Sequence, residues 1–223
     1  AAAGWDYIIL DNEHNAFNSE TIQTLALVAS YEEITLLVRI PSLEYHHIAR
    51  TLDLGVNGLV IPHVETGEEA REIMRSARYF PKGERGASLA SRIARFPGLR
   101  VPEYLDWANR EILIAVQIET ARGVGNADEI LATEGVEAVM IGPFDLSQSL
   151  GCPGETDNPE VTEACDEVTR ACQRHGVSSG IHIQTVEAAG RWISRGMRFI
   201  TCKTDAGMLN EAGSGTVSGL RRL

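Results

Sequence analysis

Short apolar runs alternate with longer amphipathic stretches along almost the whole chain. The runs are Tyr7–Leu10, Thr35–Arg39, Gly58–Ile61, Leu113–Ile118, Ala138–Ile141, Gly180–Ile183 and Phe199–Cys202. Most are continuously apolar, as strands covered on both faces should be. The stretches between them carry helix punctuation. Asn18 caps a helix whose apolar face holds Ile22, Leu25, Ala26 and Ala29. Thr66 and Glu69 form a capping box ahead of Ala70, Ile73 and Ala77. Gly55 ends a helix that starts near Leu43, and Asn158-Pro159 opens one that Gly176 ends. Thr185 opens another, which stops near Gly196. Strand–helix repetition of this kind implies an α/β fold with a parallel sheet and helical crossovers.

The runs number seven, whereas a closed (β/α)8 barrel needs eight strands. Either the sheet is open, or an initial strand lies upstream of Ala1. The polar residues discussed below all follow strand ends around one mouth, which favours a TIM barrel lacking its first strand. The segment from Arg78 to Glu111 departs from the repeat and reads as a long loop plus a short helix near Glu103–Arg110. The tail from Gly213 is rich in glycine and serine and reads as frayed. With no internal repeat or linker, residues 1–223 read as one barrel domain, short of an N-terminal strand and part of its C-terminal helices.

Composition narrows the class. The 223 residues carry a net charge of −11 and a pI near 5.0, which argues against a nucleic-acid binder. The Arg92–Arg100 stretch is too short and interrupted to change that. No apolar run approaches the roughly 20 residues of a membrane span, and Ala1–Asp6 does not resemble a signal peptide. Cys152, Cys165, Cys172 and Cys202 form no C-x-x-C pair. A reducing, cytoplasmic setting with free thiols follows.

Chemistry is expected where barrel strands end. The first run ends Asp11-Asn12-Glu13-His14, the second at Arg39, the fourth Gln117-Ile118-Glu119-Thr120 and the fifth Gly142-Pro143-Phe144-Asp145. Arg39, Glu119 and Asp145 each close an apolar strand, where an unpartnered charge is costly. Glu119 and Asp145 fall on neighbouring strands and would repel unless a cation sits between them. Oxygen-only ligation suits Mg²⁺ or Mn²⁺. His14 stands beside this site, and Asp53, late in a helix, is a candidate to orient its ring. Lys203 follows the last run, so a Schiff-base aldolase is the competing chemistry.

Taken together, these stretches resemble the HpcH/HpaI family of metal-dependent class II pyruvate aldolases. The resemblance rests on D-x-E-H at Asp11–His14, V-R at Val38-Arg39 and P-x-V-x-x-x-x-E-A at Pro62–Ala70. It continues with Y-P-P-x-G-x-R-G at Tyr79–Gly86, Q-I-E-T at Gln117–Thr120 and I-G-P-x-D-L-S at Ile141–Ser147. It implies a barrel of the phosphoenolpyruvate/pyruvate type in which Glu119 and Asp145 hold Mg²⁺, Mn²⁺ or Co²⁺. A small 2-oxo acid would bind against Gln117, Gly142, Pro143, Phe144 and Asp145. Arg39 would face the C2 oxygen, and His14, oriented by Asp53, would act as base. The family also implies a homo-oligomer, a trimer or hexamer. Aldol cleavage to pyruvate plus an aldehyde is the leading reaction, with oxaloacetate decarboxylation or a non-catalytic 2-oxo-acid-binding barrel as alternatives. The departures are Asn12, Asn15, His63, Phe144 and Lys203, which replace smaller or more apolar residues around the mouth.

Overall fold

The computed structural model describes residues 1–87 and 100–223; part of the expected long loop and most of the Arg92–Arg100 stretch lie outside the described residues. Among the described residues the chain alternates strands and helices in the order β1 (Tyr7–Asp11), α1 (Ser19–Tyr31), β2 (Thr35–Arg39), α2 (Tyr45–Asp53), β3 (Gly58–Ile61) and α3 (Gly67–Ala77). Then follow α4 (Val101–Glu111), β4 (Leu113–Ile118), α5 (Ala121–Gly125), α6 (Ala127–Leu131), β5 (Ala138–Ile141) and α7 (Pro143–Ser149). The last elements are α8 (Pro159–His175), β6 (Ser178–Ile183), α9 (Val186–Ser194), β7 (Phe199–Cys202) and α10 (Asp205–Leu220). The seven strands pair in sequence order, all parallel, as one curled sheet. This is the barrel-type α/β fold expected from the repeat.

Side-chain alternation divides the core in two. Leu36, Val38, Leu59, Ile61, Ile114, Val116, Ile118, Val139 and Ile141 point outward and pack on helix residues such as Ile48, Leu52, Ile73 and Val168. Leu37, Val60, Ala115, Ala138, Met140 and Phe199 form a separate inner cluster. The central strands, covered on both faces, read as unbroken apolar runs, whereas β1 leaves Ile8 42% exposed. The edge strands come close without pairing. The Tyr7 hydroxyl donates to the carbonyl of Ile200 at 2.7 Å, and its ring stacks on Phe199 at 5.0 Å.

The helix caps form as the sequence indicates. Asn18 accepts from the Thr21 N–H at 2.8 Å, Thr66 and Glu69 complete a reciprocal box, and Asn158 caps α8. Gly176 ends α8 at φ 69°, a left-handed position that glycine adopts without a Cβ penalty. Leu25, expected on the buried face of α1, is 37% exposed.

The tail differs from expectation. Residues from Gly213 continue α10 to Leu220 instead of fraying. Thr204 caps this helix through the Gly207 N–H, and the Lys203 ammonium pairs with Glu211 one turn in. These contacts favour a helix whose interior glycines work against it. None of the α10 side chains is buried.

All four cysteines are free, with Cys165 and Cys172 buried along α8. Burial pushes both thiols up to about 12, so neither presents thiolate near neutrality. Iodoacetamide at pH 8 is therefore expected to label the part-exposed Cys152 and Cys202 while Cys165 and Cys172 stay unmodified, as read by peptide mass mapping. Equal labelling of all four would contradict the packing of α8.

Candidate active site

The inner face becomes polar at the carboxyl ends of the strands. Two-residue steps up from Tyr7 and Ile9, Leu37, Ala115, Met140 and Phe199 reach Asp11, Arg39, Gln117, Gly142 and Thr201. His182, flanked by the outward-packed Ile181 and Ile183, joins the same rim.

Arg39 is the cationic centre of this rim. The parallel register sets Asp11 directly beside it. Its Nε donates to Asp11 Oδ1 at 2.9 Å, its Nη2 meets Oδ2 at 2.8 Å, and its Nη1 lies 3.2 Å from Glu13 Oε2. A two-pronged guanidinium–carboxylate pair holds both groups in one orientation. Burial acts to raise the Asp11 carboxyl. The Arg39 hydrogen bond and charge, with the N–H groups of Glu13 and His14, outweigh it and hold Asp11 below the usual carboxylate range. Burial likewise works against the Arg39 charge, and the carboxylates of Asp11, Glu13 and Glu119 more than compensate.

Glu119 sits just past β4 and is 1% exposed. Its Oε1 accepts the His63 backbone N–H at 2.8 Å, and its Oε2 accepts from the Gln117 amide. Burial nonetheless raises its pKa, and the Gln117 and His63 donors do not cancel that effect. Gly142 is required here by close approach. A Cβ at that position would lie 2.5 Å from Glu119 Oε2 and 3.1 Å from Gln117 Nε2.

His63 brings two carboxylates together. Its Nδ1 is 3.1 Å from Glu119 Oε1 and its Nε2 is 3.2 Å from Glu13 Oε1. The residue takes φ 55°, an uncommon left-handed conformation for a side chain other than glycine. Glu13 Oε2 is buried and makes no hydrogen bond. The oxygens of Glu13 and Glu119 and a ring nitrogen of His63 lie within 4.8 Å of one another, a spacing that could hold a metal ion.

The remaining expected residues fall around this core. Asp145 is in the first turn of α7, half-buried, accepting from the Gln148 amide at 3.0 Å. A helix opening at Pro143 leaves the N–H groups of Phe144 and Asp145 without intrahelical acceptors, and the Phe144 ring is exposed. His14 is also exposed, with Nε2 3.7 Å from Glu13 Oε2.

Asp53 is not placed against His14. Its carboxylate binds the fully buried guanidinium of Arg85, which also lies 4.6 Å over the Tyr79 ring. A buried guanidinium needs a counter-ion more than a solvated imidazole does. Glu13, Asp11, His63 and His182 received no role from the sequence alone. The inward alternation from Tyr7 and Ile9 could have found Asp11 and Glu13. The His182 Nδ1 meets Thr201 Oγ1 at 2.9 Å, and burial together with the nearby Arg39 charge lowers its pKa.

A curled parallel sheet with Glu119, Arg39 and Gln117 at its mouth defines a barrel-type α/β protein with a charged site at the carboxyl ends of its strands. The sequence matches the HpcH/HpaI aldolase/citrate lyase family over residues 1–212, and the chain belongs to that family. It is 38% identical over 212 residues to a 5-keto-4-deoxy-D-glucarate aldolase of Escherichia coli, covering 94% of this chain and 81% of the relative. The corresponding aldolase of Klebsiella pneumoniae is 36% identical over 210 residues, with the same coverage of both chains. The crystal structure of an HpcH/HpaI aldolase from Desulfitobacterium hafniense superposes with a TM-score of 0.94 at 37% identity, covering 100% of this chain and 86% of that one. Among the described residues no helix is long and apolar enough to cross a membrane.

The Asp53–Arg85 pair generates a test. Asp53→Asn is expected to lower stability by about 2 kcal/mol in urea titration, less than a fully buried pair because Asp53 is 33% exposed. The NMR resonances of the His14 ring should stay where they are in the parent protein. Displaced His14 resonances would instead reveal a contact between Asp53 and His14 in solution.

Proposed function

We propose that the protein is a divalent-metal-dependent aldolase, a carbon–carbon lyase that cleaves a 4-hydroxy-2-oxo acid to pyruvate and an aldehyde. One observation carries the reading: Glu119 is 1% exposed, with its pKa raised by burial, on a rim that among the described residues also holds Asp11, Glu13 and Asp145 beside the guanidinium of Arg39. That excess of carboxylate, with the oxygens of Glu13 and Glu119 and a His63 ring nitrogen within 4.8 Å of one another, fits a divalent cation. Glu119 and Asp145 are its proposed ligands, and Mg²⁺, Mn²⁺ and Co²⁺ suit their oxygens. When bound, such a cation supplies Lewis acidity that stabilises an enolate.

The chain's own groups do the rest. The amides of Phe144 and Asp145 would take the substrate carboxylate, and Gly142 leaves the space beside Glu119 and Gln117 free. Arg39, held by Asp11, would face the C2 oxygen. His14 would accept the proton of the C4 hydroxyl, directly or through water. The C3–C4 bond then breaks, its electron pair passes to the C2 oxygen as an enolate, and the aldehyde departs. A proton returned to C3 gives pyruvate. A preorganised guanidinium aimed at the developing oxyanion lowers that barrier without reorganising.

Lys203 does not suit the competing Schiff-base route. The Glu211 carboxylate bonded to its ammonium raises its pKa, keeping the amine protonated and non-nucleophilic. A trimer or hexamer is part of the proposal, supported by the exposed Val186, Ile193, Leu209, Val217 and Leu220 on α9 and α10. Light scattering should give three or six times the 24.3 kDa chain mass, and a monomer mass would reject this element.

The decisive experiment follows deuterium exchange into the pyruvate methyl group by NMR. Exchange should occur with Mn²⁺ or Mg²⁺, stop with EDTA, and fall about 100-fold or more in Glu119→Gln and Asp145→Asn. Borohydride should trap no adduct. Exchange that survives EDTA and is trapped by borohydride would move the chemistry to Lys203. Comparing products from oxaloacetate with those from a hydroxy-oxo acid separates decarboxylation from aldol cleavage. No exchange with metal present would leave a non-catalytic barrel.

A further inference from the structure

The His63 ring has a geometry that the proposed reaction leaves unused. Both ring nitrogens face carboxylate oxygens, Nδ1 at 3.1 Å from Glu119 Oε1 and Nε2 at 3.2 Å from Glu13 Oε1. A neutral imidazole has one N–H and can serve only one of them. The other nitrogen then turns a lone pair toward an oxygen, which a cation between the two would convert from repulsion to attraction. The side chain of Glu13 is 9% exposed, with Oε1 toward the ring and Oε2 held 3.2 Å from Arg39 Nη1, so a buried carboxylate anchored by Arg39 backs the ring.

We propose that His63 Nδ1 is a nitrogen ligand of the cation held by Glu119, with Glu13 as the carboxylate that accepts Nε2–H and sets the tautomer. A carboxylate behind a ligating histidine fixes ring orientation and raises ligand basicity. The spacing agrees. Two donors each about 2.1 Å from one ion, at right angles, stand about 3.0 Å apart, close to the 3.1 Å between Nδ1 and Glu119 Oε1. The backbone points the same way. At φ 55° His63 gives its N–H to the oxygen that its ring also approaches, so one residue brings both groups to Glu119. A nitrogen donor turns an oxygen-only centre into a mixed one. It shifts preference from Mg²⁺ toward Mn²⁺, Co²⁺ or Zn²⁺.

This inference rests on Glu119 holding a divalent cation, and the test separates the two. Pulsed electron paramagnetic resonance of the Mn²⁺-loaded full chain reads nitrogen coordination directly, without turnover. Nitrogen modulation is expected in the parent protein and should be lost in His63→Asn. Asparagine tolerates the left-handed backbone, and an unchanged thermal melt in the absence of metal checks the fold. The same variant should bind Co²⁺ about tenfold or more weaker, with Mg²⁺ affinity within about threefold of the parent. Mn²⁺ bound without nitrogen modulation, or with modulation unchanged in His63→Asn, would overturn the role of His63 and leave Glu119 as a ligand. Failure of the parent protein to bind Mn²⁺, or unaltered binding in Glu119→Gln, would overturn both.

Discussion

A carboxylate buried at the end of an apolar strand is the constraint around which the mouth of this barrel is organised. Glu119, 1% exposed, could not sit above β4 without donors on both oxygens. The Gln117 amide meets one, from two residues earlier on the same strand. The other is met from the loop after β3, where His63, two residues past the strand, turns left-handed to present its N–H. On the remaining side β5 must be followed by a glycine, because any Cβ at residue 142 would occupy the carboxylate's place. Three successive strands are thus shaped at their tips by one side chain.

The opposite side of the mouth obeys a second charge rule. Arg39 lies in register with Asp11, and the pair is closed by Glu13 two residues on. The guanidinium is neutralised locally, and among the described residues the carboxylates of the rim outnumber it. Glu13 and Glu119 are tied together through the His63 ring placed between them.

Much of this was legible in the sequence because strands covered on both faces leave unbroken apolar runs between capped helices. Six of the seven runs begin where their strands begin, and the exception, at Gly180, starts two residues earlier at Ser178. Residues ending those runs, Arg39, Gln117 and Glu119, are at the mouth as expected. What could not be read was pairing across elements. Asp53 looked available to His14 because nothing in the sequence places Arg85, from the loop after α3, beneath it. His63 looked like a departure from a motif, since its reach to Glu13 depends on a backbone conformation that composition does not announce. The glycine-rich tail looked weak because propensity counts against it, whereas its helix is anchored by a cap and a Lys203–Glu211 pair.

The hydrogen bond from Tyr7 to Ile200 has a consequence for how the chain folds. Each strand pairs with its sequence neighbour, so the sheet can grow one strand at a time, the longest connection being that from β3 to β4. Tyr7 and Ile200 are 193 residues apart, and their contact must wait until the two ends of the growing sheet have curled together. Loop-closure entropy makes such a contact a late event. The chemistry-bearing tips of β1 and β7 therefore reach their final separation after the central strands are already in place.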